Sequence, residues 1–214
     1  MAYELVIFDC DGLLVDSEPL ANRILSECFQ AAGFPITYDI CVAEMIGLPL
    51  PHCFELAEEW HGRAVPEGFF DIVQSRTYQA IRNELQPVPG TRQAIEAIAL
   101  PRCVASSSER DKITLSLTQT GLLPLFGEKY YSAQQVARGK PFPDLFLFAA
   151  EQMGFAPSEC IVIKDSFHGA RAATAAGMAV LGYAGSGFAQ QLADEGAMVF
   201  DDMAALPGML GFES

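Results

Sequence analysis

A chain of 214 residues is long enough for one full domain with its own core and a substantial insertion, and with half of its residues apolar it has ample material to bury. Its 13 Lys and Arg stand against 27 Asp and Glu, a formal charge of −14, which aids solubility and repels nucleic acid and anionic membrane surfaces. Small molecules or proteins remain as partners, and an anionic ligand would need a locally positive site.

The first apolar run, residues 5–8, predicts a strand that ends at Asp9. From about Asp16 to about Leu85 the pattern is helical without convincing strands. Leu20, Ile24, Leu25, Cys28 and Phe29 form a stripe that Gly33 ends, and residues 54–60 and 69–81 follow with similar periodicity. Pro87-Val88-Pro89-Gly90 marks the return to the main domain. Helical patterns then alternate with short apolar runs. Residues 91–99 place Ala94, Ile95, Ile98 and Ala99 on one face; 103–105 reads as a strand; 109–120 reads as a helix with Ser108 as N-cap and Gly121 past its end. Strands at 129–131, 161–163 and 179–181 follow, with a helix opened by Pro143 that turns Leu145, Phe146, Ala149 and Met153 inward.

This alternation predicts a doubly wound, Rossmann-like parallel α/β core, residues 1–15 and 86–214, with an all-helical cap, residues 16–85, inserted between. The uncharged stretch 172–189 is interrupted by four glycines, so it predicts a helix ending at Gly177, a strand and a Gly-rich loop rather than a membrane span. The six cysteines show no C-x-x-C pair and no metal-ligand spacing with the three histidines, as expected of reduced core thiols. Met1-Ala2-Tyr3-Glu4 lacks the basic start of a signal peptide, and the expected location is cytoplasmic.

Asp9 and Asp11 stand two residues apart at the end of the first strand. They project to one side while the backbone is extended, and Gly12 lets the chain turn away at once. Ligands of open α/β sheets bind at such carboxyl ends. The plainer alternative is two acids capping a turn.

The run FDCDGLLVDSE, residues 8–18, resembles the first motif of the haloacid dehalogenase superfamily. Ala105-Ser106-Ser107-Ser108 resembles its second, Gly139-Lys140-Pro141 its third and Ile161-Val162-Ile163-Lys164-Asp165-Ser166 its fourth, all in order over nearly the whole chain. The helical insertion resembles the cap of the phosphoglucomutase-like branch, which includes 6-phosphogluconate and other sugar-phosphate phosphatases. This resemblance implies a Mg²⁺-dependent phosphatase that acts on a small phosphorylated metabolite, a sugar phosphate or phospho-sugar acid; a monomer or weak homodimer is expected, although the sequence itself does not give the oligomeric state. Asp9 would be the nucleophile, forming an aspartyl-phosphate, and Asp11 the general acid/base. Ser106 and Ser107 would bind phosphate oxygens, Lys140 would neutralise the transferring phosphoryl group, and Mg²⁺ would take Asp9, the Asp11 carbonyl and Asp165. Read alone, the serines are a loop and the lysine an exposed side chain.

Departures from the family narrow the reaction. Pro19-Leu20-Ala21-Asn22 lacks the histidine that the resemblance predicts in a mutase, and Asp11 is the acid that dehalogenases lack. A phosphomutase and a catalytically impaired binding or regulatory protein remain the alternatives. Residues 45–50 resemble the specificity loop without the mutase arginine. His52, Arg76 and Arg82 are candidate substrate contacts, each with a plainer role on the surface or in packing. Lys164 occupies a place where the resemblance implies an acid. It would turn to solvent, pair with Asp165 in competition with Mg²⁺, or mark an inactivated form, natural or engineered.

Overall fold

The computed structural model describes residues 3–212, apart from the side chain of residue 186. In chain order it runs β1 (Leu5–Phe8), α1 (Ser17–Ala31), α2 (Tyr38–Glu44), α3 (Leu50–His61), α4 (Phe69–Glu84), α5 (Thr91–Ala97) and β2 (Arg102–Ser106). Then come α6 (Arg110–Gln119), α7 (Leu123–Phe126), β3 (Tyr130–Ser132), α8 (Asp144–Met153), β4 (Cys160–Lys164), α9 (Phe167–Ala175), β5 (Ala179–Tyr183), α10 (Ala189–Asp194), β6 (Met198–Phe200) and α11 (Leu206–Met209). The chain forms two compact units. One comprises the residues up to Asp16 together with those from Gln86 onward, and the other is Ser17–Leu85.

All six strands of the first unit are parallel, in the order β3-β2-β1-β4-β5-β6. β1 is flanked by β2 and β4, with Phe8 level with both Val104 and Ile163. The strand order reverses at β1, so the crevice beyond its carboxyl end is the topological switch point of a doubly wound sheet. β1 and β4 are buried along their whole length, which is why they read as continuous apolar runs rather than alternating ones. Leu5, Ile7, Cys103 and Val162 pack with Leu145, Phe146 and Ala149 of α8 and Ala170, Ala172 and Ala173 of α9 in one core. The α/β class with an inserted helical unit is the one expected.

The second unit has its own core, in which Phe29 meets Phe34 and Phe54 edge-on at centroid distances of 5.8 and 6.1 Å. All six cysteines are buried free thiols. No helix among the described residues is long and apolar enough to cross a membrane.

Several boundaries differ from the sequence expectation. α5 stops at Ala97 because Ile98 adopts an extended conformation, although its side chain stays in the core. α6 starts at Arg110, with Glu109 rather than Ser108 in the N-cap position. β3 shifts by one residue to include Ser132, which pairs with Ser106. α2 and β6 have no counterpart in the expectation, since each buries only one side chain, Cys41 and Phe200, and leaves almost no periodic signal.

Candidate active site

Asp9 follows the last residue of β1 and is only 4 % exposed. Its backbone N–H donates to the Ile163 carbonyl at 3.1 Å, which continues the sheet pairing by one residue and fixes the side chain over the switch point. The Cys10 N–H donates to Asp9 Oδ1 at 2.7 Å. Gly12 then turns the chain at φ 73°, and it is required twice over, because a Cβ there would also overlap the Asp165 carboxylate.

Three other charged groups converge on Asp9. Lys140 Nζ lies 3.0 Å from Asp9 Oδ2 and donates to the Ala105 carbonyl at 3.0 Å, with the Phe146 ring 4.9 Å away. Its side chain is 5 % exposed, so the lysine that reads as a surface residue is in fact buried. Lys164, the last residue of β4, points its ammonium onto the same Asp9 Oδ2 and donates to Asp165 Oδ1 at 2.6 Å. Of the three placements considered for Lys164, the side chain takes the inward one, on Asp165, and reaches Asp9 as well.

With all four groups charged, the cluster holds two carboxylates against two ammoniums and is electrically neutral; burial, followed by the Asp9 charge, outweighs Lys164 and raises the Asp165 carboxyl above the ordinary aspartate value. Burial pushes the Asp9 carboxyl up, but Lys140 and Lys164 outweigh it and hold the group below the ordinary aspartate value. Burial likewise pulls Lys164 down, and Asp165 and Asp9 more than offset it, so its ammonium is held above the ordinary lysine value. For Lys140 burial wins and the value is lowered, with the nearby Lys164 charge acting in the same direction. Burial, followed by the Asp11 and Asp9 charges, raises Cys10 well above an ordinary thiol, which leaves it protonated and inert beside Asp9.

Asp11 is held by a separate set of groups. Ser108 Oγ donates to Asp11 Oδ2 at 2.6 Å, Lys112 Nζ lies 3.0 Å from Oδ1, and Lys112 also donates to Ser108 Oγ at 3.1 Å. Sequence reasoning missed Lys112 and assigned Ser108 only a capping role. The available signal was their closeness in sequence: Ser108 precedes the N-cap of α6 and Lys112 lies in its first turn. Ser106 is buried at the end of β2, where its hydroxyl accepts from the Ser108 N–H at 3.1 Å; Ser107 is exposed in the same turn.

The candidate contacts in the helical unit are occupied locally or exposed. His52 pairs with Glu55 at 3.0 Å, Arg76 with Glu27 at 2.5 Å, and Arg82 is exposed.

Residues 6–183 match the family of haloacid dehalogenase-like hydrolases. The chain belongs to that family. It is 27 % identical to the 6-phosphogluconate phosphatase of Escherichia coli over 205 residues, 95 % of this chain and 93 % of that one. It is 30 % identical to a phosphorylated carbohydrates phosphatase of Thermotoga maritima over 187 residues, 82 % of each chain. Among solved structures, a family hydrolase from Deinococcus radiodurans with bound phosphate and sodium superposes with a TM-score of 0.85 at 30 % identity, covering 98 % of this chain and 95 % of that one. Phosphatase relatives therefore span most of the length of this hydrolase, and its helical insertion places it with the subfamily that carries a helical cap.

The family generally uses Mg²⁺, a hard cation that takes carboxylate and carbonyl oxygens. The residues present do not fit it as they stand. The Lys164 ammonium lies on both Asp9 Oδ2 and Asp165 Oδ1, so it contacts the two carboxylates that would hold the ion. Among the described residues, no three His, Cys, Asp or Glu side chains gather into a group suited to a metal.

Proposed function

We propose that this chain is a phosphomonoester hydrolase that acts on a small phosphorylated metabolite through an aspartyl-phosphate on Asp9. The observation that carries the reading is the ionised, buried Asp9 at the switch point, gripped by Lys140 and Lys164, with Asp11 two residues further along in its own hydrogen-bonded setting.

In this reading, an Asp9 oxygen attacks phosphorus and the bond from phosphorus to the ester oxygen breaks. Protonated Asp11 gives its proton to the departing alkoxide, which leaves as the alcohol. Water then attacks the phosphorus of the acyl phosphate and loses its proton to Asp11. The phosphorus–Asp9 bond breaks, so inorganic phosphate is released and both side chains return to their starting states. Lys140 and Lys164 hold the negative charge that Asp9 and the phosphoryl oxygens share. Ser106, Ser107 and the amides of their turn are the proposed phosphate-binding groups at the end of β2. Mg²⁺ with Asp9, the Asp11 carbonyl and Asp165 belongs to this reading only if Lys164 withdraws from the two carboxylates.

The substrate class proposed is a sugar phosphate or phospho-sugar acid, supported by the relatives that act on 6-phosphogluconate and phosphorylated carbohydrates. The test is phosphate release from phosphorylated sugars, sugar acids and nucleotides by the parent and by Asp9→Asn. The amide keeps the shape and loses the nucleophilic charge, so turnover should vanish while the fold persists. Phosphate release retained by a folded Asp9→Asn protein would remove Asp9 from the mechanism.

A further inference from the structure

We propose that the Lys164 ammonium is a resident cation standing where a divalent ion would bridge Asp9 and Asp165, so that this chain holds a phosphate group without a divalent metal. The proposal rests on the reading that Asp9 marks the phosphate site.

Three observations carry it. The first is position: one Nζ contacts both Asp9 Oδ2 and Asp165 Oδ1, the place of a bridging ion. The second is charge. A carboxylate at position 164 with a bound divalent ion would contribute −1 + 2 = +1, and the lysine contributes the same +1 from a single side chain. With Lys164 in place the cluster of Asp9, Asp165, Lys140 and Lys164 is already neutral, and an added divalent ion would meet two ammoniums and no uncompensated carboxylate.

The third observation is packing. Lys164 is 5 % exposed, and its aliphatic stem lies against Gly169 in the first turn of α9. A Cβ at 169 would stand 2.6 Å from Lys164 Cγ and overlap the next two carbons as well, so the fold leaves room for this stem. A surface lysine that had merely folded inward would not need such a space. An ammonium carries three donors. Two lie on carboxylates, and the third is the one that a phosphate oxygen against Asp9 would take.

Two titrations of the whole chain test this without reading turnover. Mn²⁺ binding, followed by the loss of the free-ion paramagnetic resonance signal, should be weaker for the parent than for Lys164→Glu by roughly a hundredfold or more. Lys164→Met, uncharged and similar in length, answers the same question where Lys164→Glu fails to fold. Inorganic phosphate, titrated calorimetrically in the presence of EDTA, should bind the parent and bind Lys164→Met roughly tenfold or more weakly. Mn²⁺ binding by the parent as tight as by the variants would overturn the proposal, as would phosphate binding that appears only when Mg²⁺ is added. A parent that excludes Mn²⁺, binds phosphate and hydrolyses none of the esters would instead overturn the phosphatase reading and leave this one standing.

Discussion

Replacing Gly169 by Ala separates a packed, functional lysine from an incidental one through the sign of its effect. Gly169 is the third residue of α9 and does not have a positive φ, so on backbone grounds alone the change should stabilise the helix by up to about 1 kcal/mol. The added methyl, however, falls on three successive carbons of Lys164, so the stem must move as a whole rather than at its tip. Moving it takes the ammonium off Asp9 and Asp165, both buried, and breaking a buried ion pair costs about 3–5 kcal/mol because charge is left uncompensated. The balance is a loss of roughly 2–5 kcal/mol, which for a chain of this size lowers the melting temperature by roughly 4–20 °C. In a Lys164→Ala background the obstruction is gone, and Gly169→Ala should return to a gain of up to about 1 kcal/mol. Thermal denaturation followed by circular dichroism gives both numbers. A Gly169→Ala protein that melts at or above the parent, or a loss of equal size in both backgrounds, would refute the packing argument.

Asp11→Asn should lower turnover by roughly 10²–10⁴-fold, the usual range for general acid/base catalysis, and a variant within a few-fold of the parent contradicts that role. Lys112→Met removes the cation 3.0 Å from Asp11 Oδ1 while Ser108 still donates to Oδ2. As a positioning residue its loss should lower kcat roughly tenfold or more with little change in KM, and Lys112→Arg should restore part of it. The pH dependence of stability follows from Asp9 and Lys164. Asp9 is lowered from 3.8, so its contribution is present above that value and is lost as pH falls through the lower folded value. Lys164 is raised from 10.5, so its contribution is complete below that value and is lost only as pH rises through the higher folded one. The part that Asp9 contributes to the stability difference between the parent and Asp9→Asn in urea should therefore be lost as pH falls below about pH 4. A difference that does not shrink below about pH 4 contradicts the assignment.

The parts of the fold legible in the sequence are those that bury continuous apolar runs. β1, β4 and β5 were readable because buried parallel strands are bounded by abrupt changes of composition at Asp9, Asp165 and the glycines beyond Leu181. β6 was not, because an edge strand of three residues with one buried side chain leaves too short a pattern. At the site, Asp9 and Asp11 stood out from their spacing alone. The burial of Lys140 did not, since Arg-Gly-Lys-Pro reads as a surface turn; it comes from the Ala105 carbonyl and the Phe146 ring, both remote in sequence. Lys164 stood out by its residue type, but its direction depended on Gly169, five residues further along the chain, where the missing side chain admits the stem.

The topology also explains why position 164 has such leverage. In a parallel sheet the side chains that surround the end of one strand come from the ends of its two neighbours and from the loops that follow them. β1 has β2 on one side, whose end supplies Ser106 and the Ala105 carbonyl that anchors Lys140. On the other side it has β4, with Ile163 level with Phe8, so residues 164 and 165 leave the sheet beside Asp9. The β4 end is thus a place from which a side chain can put a charge directly on Asp9. The lysine there brings its positive charge onto Asp9 and Asp165. An acidic chain with 27 carboxylates against 13 basic side chains would need local positive charge for the proposed phosphate site, and two of those 13 are buried on Asp9.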